Sequence, residues 1–218
     1  MGWPRSTFRP SSSTLLRASD ARQPIAVGVR SKQAYQPGIG PHTEAAAVEL
    51  IVDELRRSWP TRYPSITLGV PYPKARRQRC DICLGVAPLW TWAIEVKLLR
   101  LMGDNGLPND SMLMHILAPY PEHGSALTDC AKLTASSLGK RKAILIYAFE
   151  HEGWPAEHAI GAFETLARSR GAEGPRHAAG FSGLVHPIHT RGWVFAWELY
   201  RADNSSVVPA EPKPAPTP

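Results

Sequence analysis

The 218 residues suit one globular domain with room for tails, and the 43% hydrophobic, 20% charged composition is that of an ordinary folded protein. No apolar run approaches the ~20 residues of a membrane-spanning helix; the longest, Ala143 to Phe149, suits a buried strand. The formal charge of +6 is carried largely by residues 1–40, which hold six basic residues against Asp20 alone, so net charge by itself makes no case for a nucleic-acid partner.

In chain order, residues 1–36 carry Pro4, Pro10, the run Ser11 to Ser13 and no sustained periodicity, which predicts a disordered basic arm. Rich in Ser and Arg, the arm superficially resembles a transit peptide, but it lacks the apolar core of a secretory signal. With an odd count of three cysteines, a reducing, cytoplasmic setting is the expectation. A helix is predicted over about Pro41–Ser58, stopped by Trp59-Pro60, with Val48, Ile51, Val52 and Leu55 as its apolar stripe. Glu44 lies four residues before Val48 and joins that buried face, an unusual place for a carboxylate. Glu49, at the stripe's edge, is a reserve.

Three strands follow, at Ile66–Val70, Arg79–Val86 and Thr91–Leu99, the last two joined by a short turn near Pro88. Residues 102–124 read as a long loop with a short apolar helix at Met112–Leu117. Next come a helix over Leu127–Leu138, a doubly covered central strand at Ala143–Phe149, and a helix over Pro155–Ser169. Ala179–Ile188 and Trp193–Tyr200 pair as a hairpin, and residues 204–218, with five prolines, form a disordered tail. The expected architecture is a single α/β domain over 37–203 with a central mixed β-sheet flanked by helices.

Alternation along a strand separates faces. In the third strand Trp92, Ile94, Val96 and Leu98 point one way while Glu95 and Lys97 share the other face. In the second, Cys80, Ile82 and Leu84 share a face and Asp81 opposes them. An antiparallel pairing brings Asp81 near Glu95, with Glu44 offered by the first helix. Carboxylates packed together resist ionising unless a cation joins them. Such a patch suits phosphodiester hydrolysis, in which carboxylate oxygens hold Mg²⁺, the metal activates water, and a lysine steadies charge.

Asp81, followed fourteen residues later by Glu95-Val96-Lys97, resembles the Asp…Glu-x-Lys signature of the PD-(D/E)XK, or restriction-endonuclease-like, superfamily. The resemblance covers roughly residues 40–150 in order of elements, and Glu44 matches the extra acid of that family. Cys80 stands where many members carry proline. The resemblance implies a magnesium- or manganese-dependent nuclease acting on nucleic acid, DNA first. Asp81, Glu95 and the Val96 carbonyl would hold the metal, Lys97 would serve the water, and Glu44 would serve a second metal or its water. Members that cut both strands suggest a homodimer as one option. The alternative is a catalytically silent nucleic-acid-binding or interaction module on the same fold.

Other motifs weigh less. Cys80 and Cys83 spell CxxC, but positions three apart on a strand face opposite sides, which favours two buried thiols over a zinc site. Lys74, Arg76, Arg77 and Arg79 form a basic run that either grips phosphates or is simply solvated. Asp129 and Lys132 fit a surface ion pair. His186 and His189 have no acid nearby in sequence and read as an exposed turn.

Overall fold

The computed structural model describes residues 16–22, 37–63, 65–169 and 174–200. Its elements are α1 (Glu44–Ser58), β1 (Ile66–Tyr72), β2 (Ala75–Val86), β3 (Leu89–Arg100), α2 (Met114–Leu117), α3 (Ala126–Ala135), β4 (Arg141–Phe149), α4 (Glu157–Arg168), β5 (His177–Ser182) and β6 (Arg191–Leu199). The six strands form one mixed sheet in the order β1-β2-β3-β4-β6-β5. Only β3 and β4 run parallel, which requires the crossover that α3 supplies. This is the expected α/β architecture.

Each sheet face has its own core. One gathers Ala93, Ile144, Ile146 and Phe195 beneath α3 and α4, which contribute Leu127, Leu133, Ile160 and Phe163. The other gathers Val96, Leu98, Tyr147 and Phe149 beneath α1, which contributes Ala47, Val48 and Val52. The sheet is therefore covered on both sides, and β4, flanked by β3 and β6, is central as expected.

α1 begins three residues later than Pro41 suggests. Thr43 caps it, its side chain accepting from the Ala46 N–H at 3.4 Å, so Glu44 falls in the first turn, where a carboxylate suits the helix dipole. β5 stops at Ser182, and residues 183–190 form a loop rather than the rest of a strand. Residues 16–21 depart from the expected disordered arm: they form a helical stretch with Leu16 and Asp20 buried. Asp20 accepts from the Ile39 and Val185 N–H groups, each at 2.7 Å, and Arg22 pairs with buried Glu54. The rest of the arm and the 204–218 tail lie outside the described residues.

The β1–β2 hairpin changes faces part-way along. Ile66, Leu68, Ile82 and Leu84 pack toward the α1 side, whereas Val70, Tyr72 and Cys80 pack toward the α3 side. The crossover falls between the pairs Leu68–Ile82 and Val70–Cys80, where Gly69 and Asp81 stand. Gly69 has φ +62, a conformation that costs glycine little and other residues more. The expectation that Cys80 shares a face with Ile82 and Leu84 is thus corrected. Cys80 joins Cys83 in one core instead, and a thiol–thiol hydrogen bond together with burial pushes the Cys80 thiol up.

The β2–β3 ladder ends at the pair Ile82–Ile94. Beyond it the strands diverge, and the edge of β3 from Val96 onward has no strand neighbour on that side. That opening is where the charged residues collect.

Candidate active site

An unpaired strand edge leaves N–H groups that need acceptors. Along β3 these come from carboxylates. Asp81 Oδ2 accepts from the Val96 N–H at 2.8 Å, and Glu44 Oε2 accepts from the Leu98 N–H at 2.7 Å. Asp81 reaches this position because β2 crosses faces at that residue. Glu44 reaches it because α1 starts beside the end of β3. Its approach is set by Arg100, whose guanidinium donates to the Gly40 carbonyl at 2.5 Å, just before the helix.

Between the two acids, Lys97 Nζ lies 3.2 Å from Glu44 and 2.9 Å from Asp129. Glu95 is 2% exposed and accepts from the Tyr72 hydroxyl at 2.5 Å, with Lys132 Nζ at 2.8 Å. Lys132 also pairs with Asp129 at 2.6 Å. The Asp81 carboxylate is near enough to raise the proton affinity of Glu95. Asp81, Glu95, Lys97 and Glu44 therefore meet in one place, while the reserve acid Glu49 is exposed on α1.

Three members lay outside the sequence expectation. Asp129 and Lys132 are not a surface ion pair: Asp129 is 3% exposed, and both face the β3 charges because α3 packs across that strand. Tyr72 enters through the same hairpin crossover that moves Cys80. The i, i+3 spacing of Asp129 and Lys132 was visible, but no local signal pointed to Tyr72.

The electrostatics follow from crowding. The cluster holds four carboxylates, Glu44, Asp81, Glu95 and Asp129, against two ammoniums, Lys97 and Lys132. Burial first, then the charges of Asp129 and Asp81, push Glu95 up to about 8. Burial likewise raises Glu44 against the pull of Lys97. For Lys97 burial alone would favour the neutral amine, but Asp129 and Glu44 outweigh it and raise the group, so it stays an ammonium. A divalent cation would relieve the excess of negative charge, and the donors are the hard oxygens that Mg²⁺ and Mn²⁺ prefer. Val96 fits as a third donor, because the N–H and C=O of a strand residue lie on the same edge. The residues present fit such an ion.

The chain matches no family model, no curated protein and no solved structure.

A second polar cluster corrects another expectation. His186 and His189 are both 0% exposed, not an exposed turn, and Asp104 supplies the acid from 85 residues away, 2.9 Å from His189 Nε2. Among the described residues these three form the one group of His, Cys, Asp or Glu with donor atoms all within 4.8 Å of each other. The hydrogen bonds nevertheless place the protons wrongly for a metal. His186 Nδ1 accepts from the N–H groups of Ile188 and His189, both at 3.0 Å, so the neutral ring carries its proton on Nε2, the remaining nitrogen. A metal needs that nitrogen's lone pair. The cluster instead ties the 183–190 loop to Asp104, which also accepts from Arg100 at 3.1 Å.

Proposed function

We propose that this chain is a metal-dependent nuclease hydrolysing phosphodiester bonds, with DNA the first substrate to test. The observation that carries the reading is the surplus of carboxylates, two buried and two half-buried, around Lys97 and Lys132 at an unpaired strand edge. A purely structural ion-pair network has no use for acids it cannot neutralise. The order of α1, three strands, α3 and a parallel β4, with Asp81 and Glu95-Val96-Lys97 on adjacent strands, supports the same reading through the resemblance to PD-(D/E)XK enzymes.

Asp81, Glu95 and the Val96 carbonyl would hold the ion. Bound there, Mg²⁺ or Mn²⁺ supplies the positive charge that polarises a phosphoryl oxygen and acidifies water. Lys97, kept an ammonium by Asp129 and Glu44, donates to the reacting phosphate or water and offsets developing negative charge. It is not the base. Glu44, 3.2 Å from Lys97 and with its proton affinity raised by burial, is placed to take up a proton. Asp129 and Lys132 position Lys97 and Glu95.

A second reading, a catalytically silent nucleic-acid-binding or interaction module, has one observation in its favour. Lys132 already offers Glu95 a cation at 2.8 Å. Supercoiled plasmid separates the two. The nuclease reading expects nicking in Mg²⁺ or Mn²⁺, none in EDTA, and a loss of at least about a hundredfold in Lys97→Ala and in Glu95→Gln. The second variant keeps the shape of the side chain and guards against a folding artefact. Metal-independent cleavage, or activity that survives both substitutions, would remove Asp81, Glu95 and Lys97 from the chemistry. Binding without cleavage of DNA or RNA would favour the silent module.

A further inference from the structure

The β1–β2 hairpin parts from β3 toward its tip, where Tyr72 and Ala75 pack on the α3-side core. From Ala75 to Asp81, β2 pairs with β1 alone, because its ladder with β3 begins only at Ile82. The result is a short two-stranded ribbon with Asp81 at its root and Tyr72 beside the Pro73-Lys74 turn at its tip, both members of the acid cluster. Residues 41–218 hold 19 basic and 18 acidic residues, yet the stretch 65–80 holds four of the basic and none of the acidic. Lys74, Arg77 and Arg79 are exposed. Arg79 lies along the ribbon, donating to the Gly69 carbonyl at 2.7 Å, and among the described residues no carboxylate pairs with Lys74 or Arg77.

A positive ribbon beside a negative cleft is an arrangement with a direction. Lys74 lies in the turn two positions past Tyr72, and Arg79 lies two positions before Asp81 along β2, a reach of about 7 Å in the second case. A polyanionic chain attracted to the ribbon is therefore led toward Glu95, while the cleft itself repels it until a cation is bound.

We propose that this hairpin is a backbone-binding arm for nucleic acid, with the exposed Lys74 and Arg77 contacting phosphates and Arg79 bracing its two strands. The proposal rests on the nuclease reading for its orientation toward Glu95, but binding can be measured without catalysis.

The test is fluorescence anisotropy of a labelled DNA duplex in EDTA over a range of salt. It compares the wild-type chain, a Lys74→Gln/Arg77→Gln variant, and a Lys140→Gln/Arg168→Gln variant. The last loses the same charge from exposed positions elsewhere. The ribbon variant is expected to bind more weakly, with the slope of log affinity against log salt reduced by about 1.8, two contacts at about 0.9 each. The control is expected to keep the wild-type slope. An equal loss in both variants would mean diffuse attraction and would overturn the arm, as would wild-type binding with no dependence on the ribbon. Ribbon-dependent binding by a chain that cuts nothing would leave the arm standing and remove the nuclease, so the two failures are distinguishable.

Discussion

The acid–lysine cluster and the histidine cluster are both largely buried, both assembled from distant segments, and both rich in metal-ligand residue types. They differ in where the protons are. Around Glu95 the acids outnumber the cations and the proton one of them retains is an electrostatic compromise that a metal could displace. Around His186 the backbone has dictated the tautomer, and the imidazole nitrogen left over already carries hydrogen. Residue type nominates a metal site, but lone-pair availability decides it.

The largest expected effect comes from Glu95→Gln, because it removes the charge that the first cluster cannot neutralise. An acid raised in the folded state from 4.5 to about 8 keeps its proton on folding while the unfolded chain has lost it. Stability attributable to Glu95 is thus complete below about pH 4.5 and is lost as pH rises toward 8, with a limiting slope of about 1.4 kcal/mol per pH unit. Glutamine imitates the protonated acid and cannot ionise. In EDTA, denaturant unfolding should show the variant becoming more stable than wild type as pH climbs from 5 to 8, while its Mg²⁺ affinity falls. Mg²⁺ should flatten the wild-type slope. A wild-type curve already as flat as the variant's would mean the acids are not crowded.

The histidine cluster should bend the opposite end of the curve. Burial, aided by His189, lowers His186 to about 4, so the folded ring stays neutral while the unfolded one gains a proton below 6.5. Its stability contribution is present above 6.5 and is lost as pH falls toward 4. His186→Asn places an acceptor oxygen close to where Nδ1 sits and cannot titrate, so the acid limb should flatten by up to about 1.4 kcal/mol per pH unit. Because the tautomer argues against a metal here, Zn²⁺ stoichiometry by calorimetry should be unchanged. Loss of one equivalent of Zn²⁺ in this variant would show that the cluster ligates after all.

The two clusters also differ in how much of them could be read in advance. Glu95 and Lys97 were legible because strand alternation is local, and Glu44 because a carboxylate on an apolar helix stripe is conspicuous. Asp129 and Lys132 were seen as a pair but misplaced, since their burial depends on how the β3–α3–β4 crossover lays α3 over β3. Cys80 was misassigned and Tyr72 missed for one reason, the face change at Gly69 and Asp81, which a period-two reading cannot register. The strands, the helices and the mixed sheet emerged from periodicity and turn residues, with boundaries shifted by a few positions. The burial of His186 and His189 depended on Asp104, a partner that no spacing rule connects to them.

Tyr72→Phe gives the smallest contrast and the most specific one. It leaves the ring packed in the α3-side core and deletes only the hydroxyl that donates to Glu95. One such hydrogen bond is worth about 1 kcal/mol, somewhat more when its acceptor is charged. Losing a donor to the carboxylate favours the protonated form, so the pH at which Glu95 ionises should move up in the variant. The cleavage profile should follow, with the rise in rate displaced to higher pH and the rate at its plateau little changed. The acid limb governed by His186 should not move, because Tyr72 touches nothing in that cluster. Displacement of both limbs would mean that the variant has loosened the whole sheet, and an unshifted alkaline limb would mean that the Tyr72 hydroxyl does not reach the group that controls the rate.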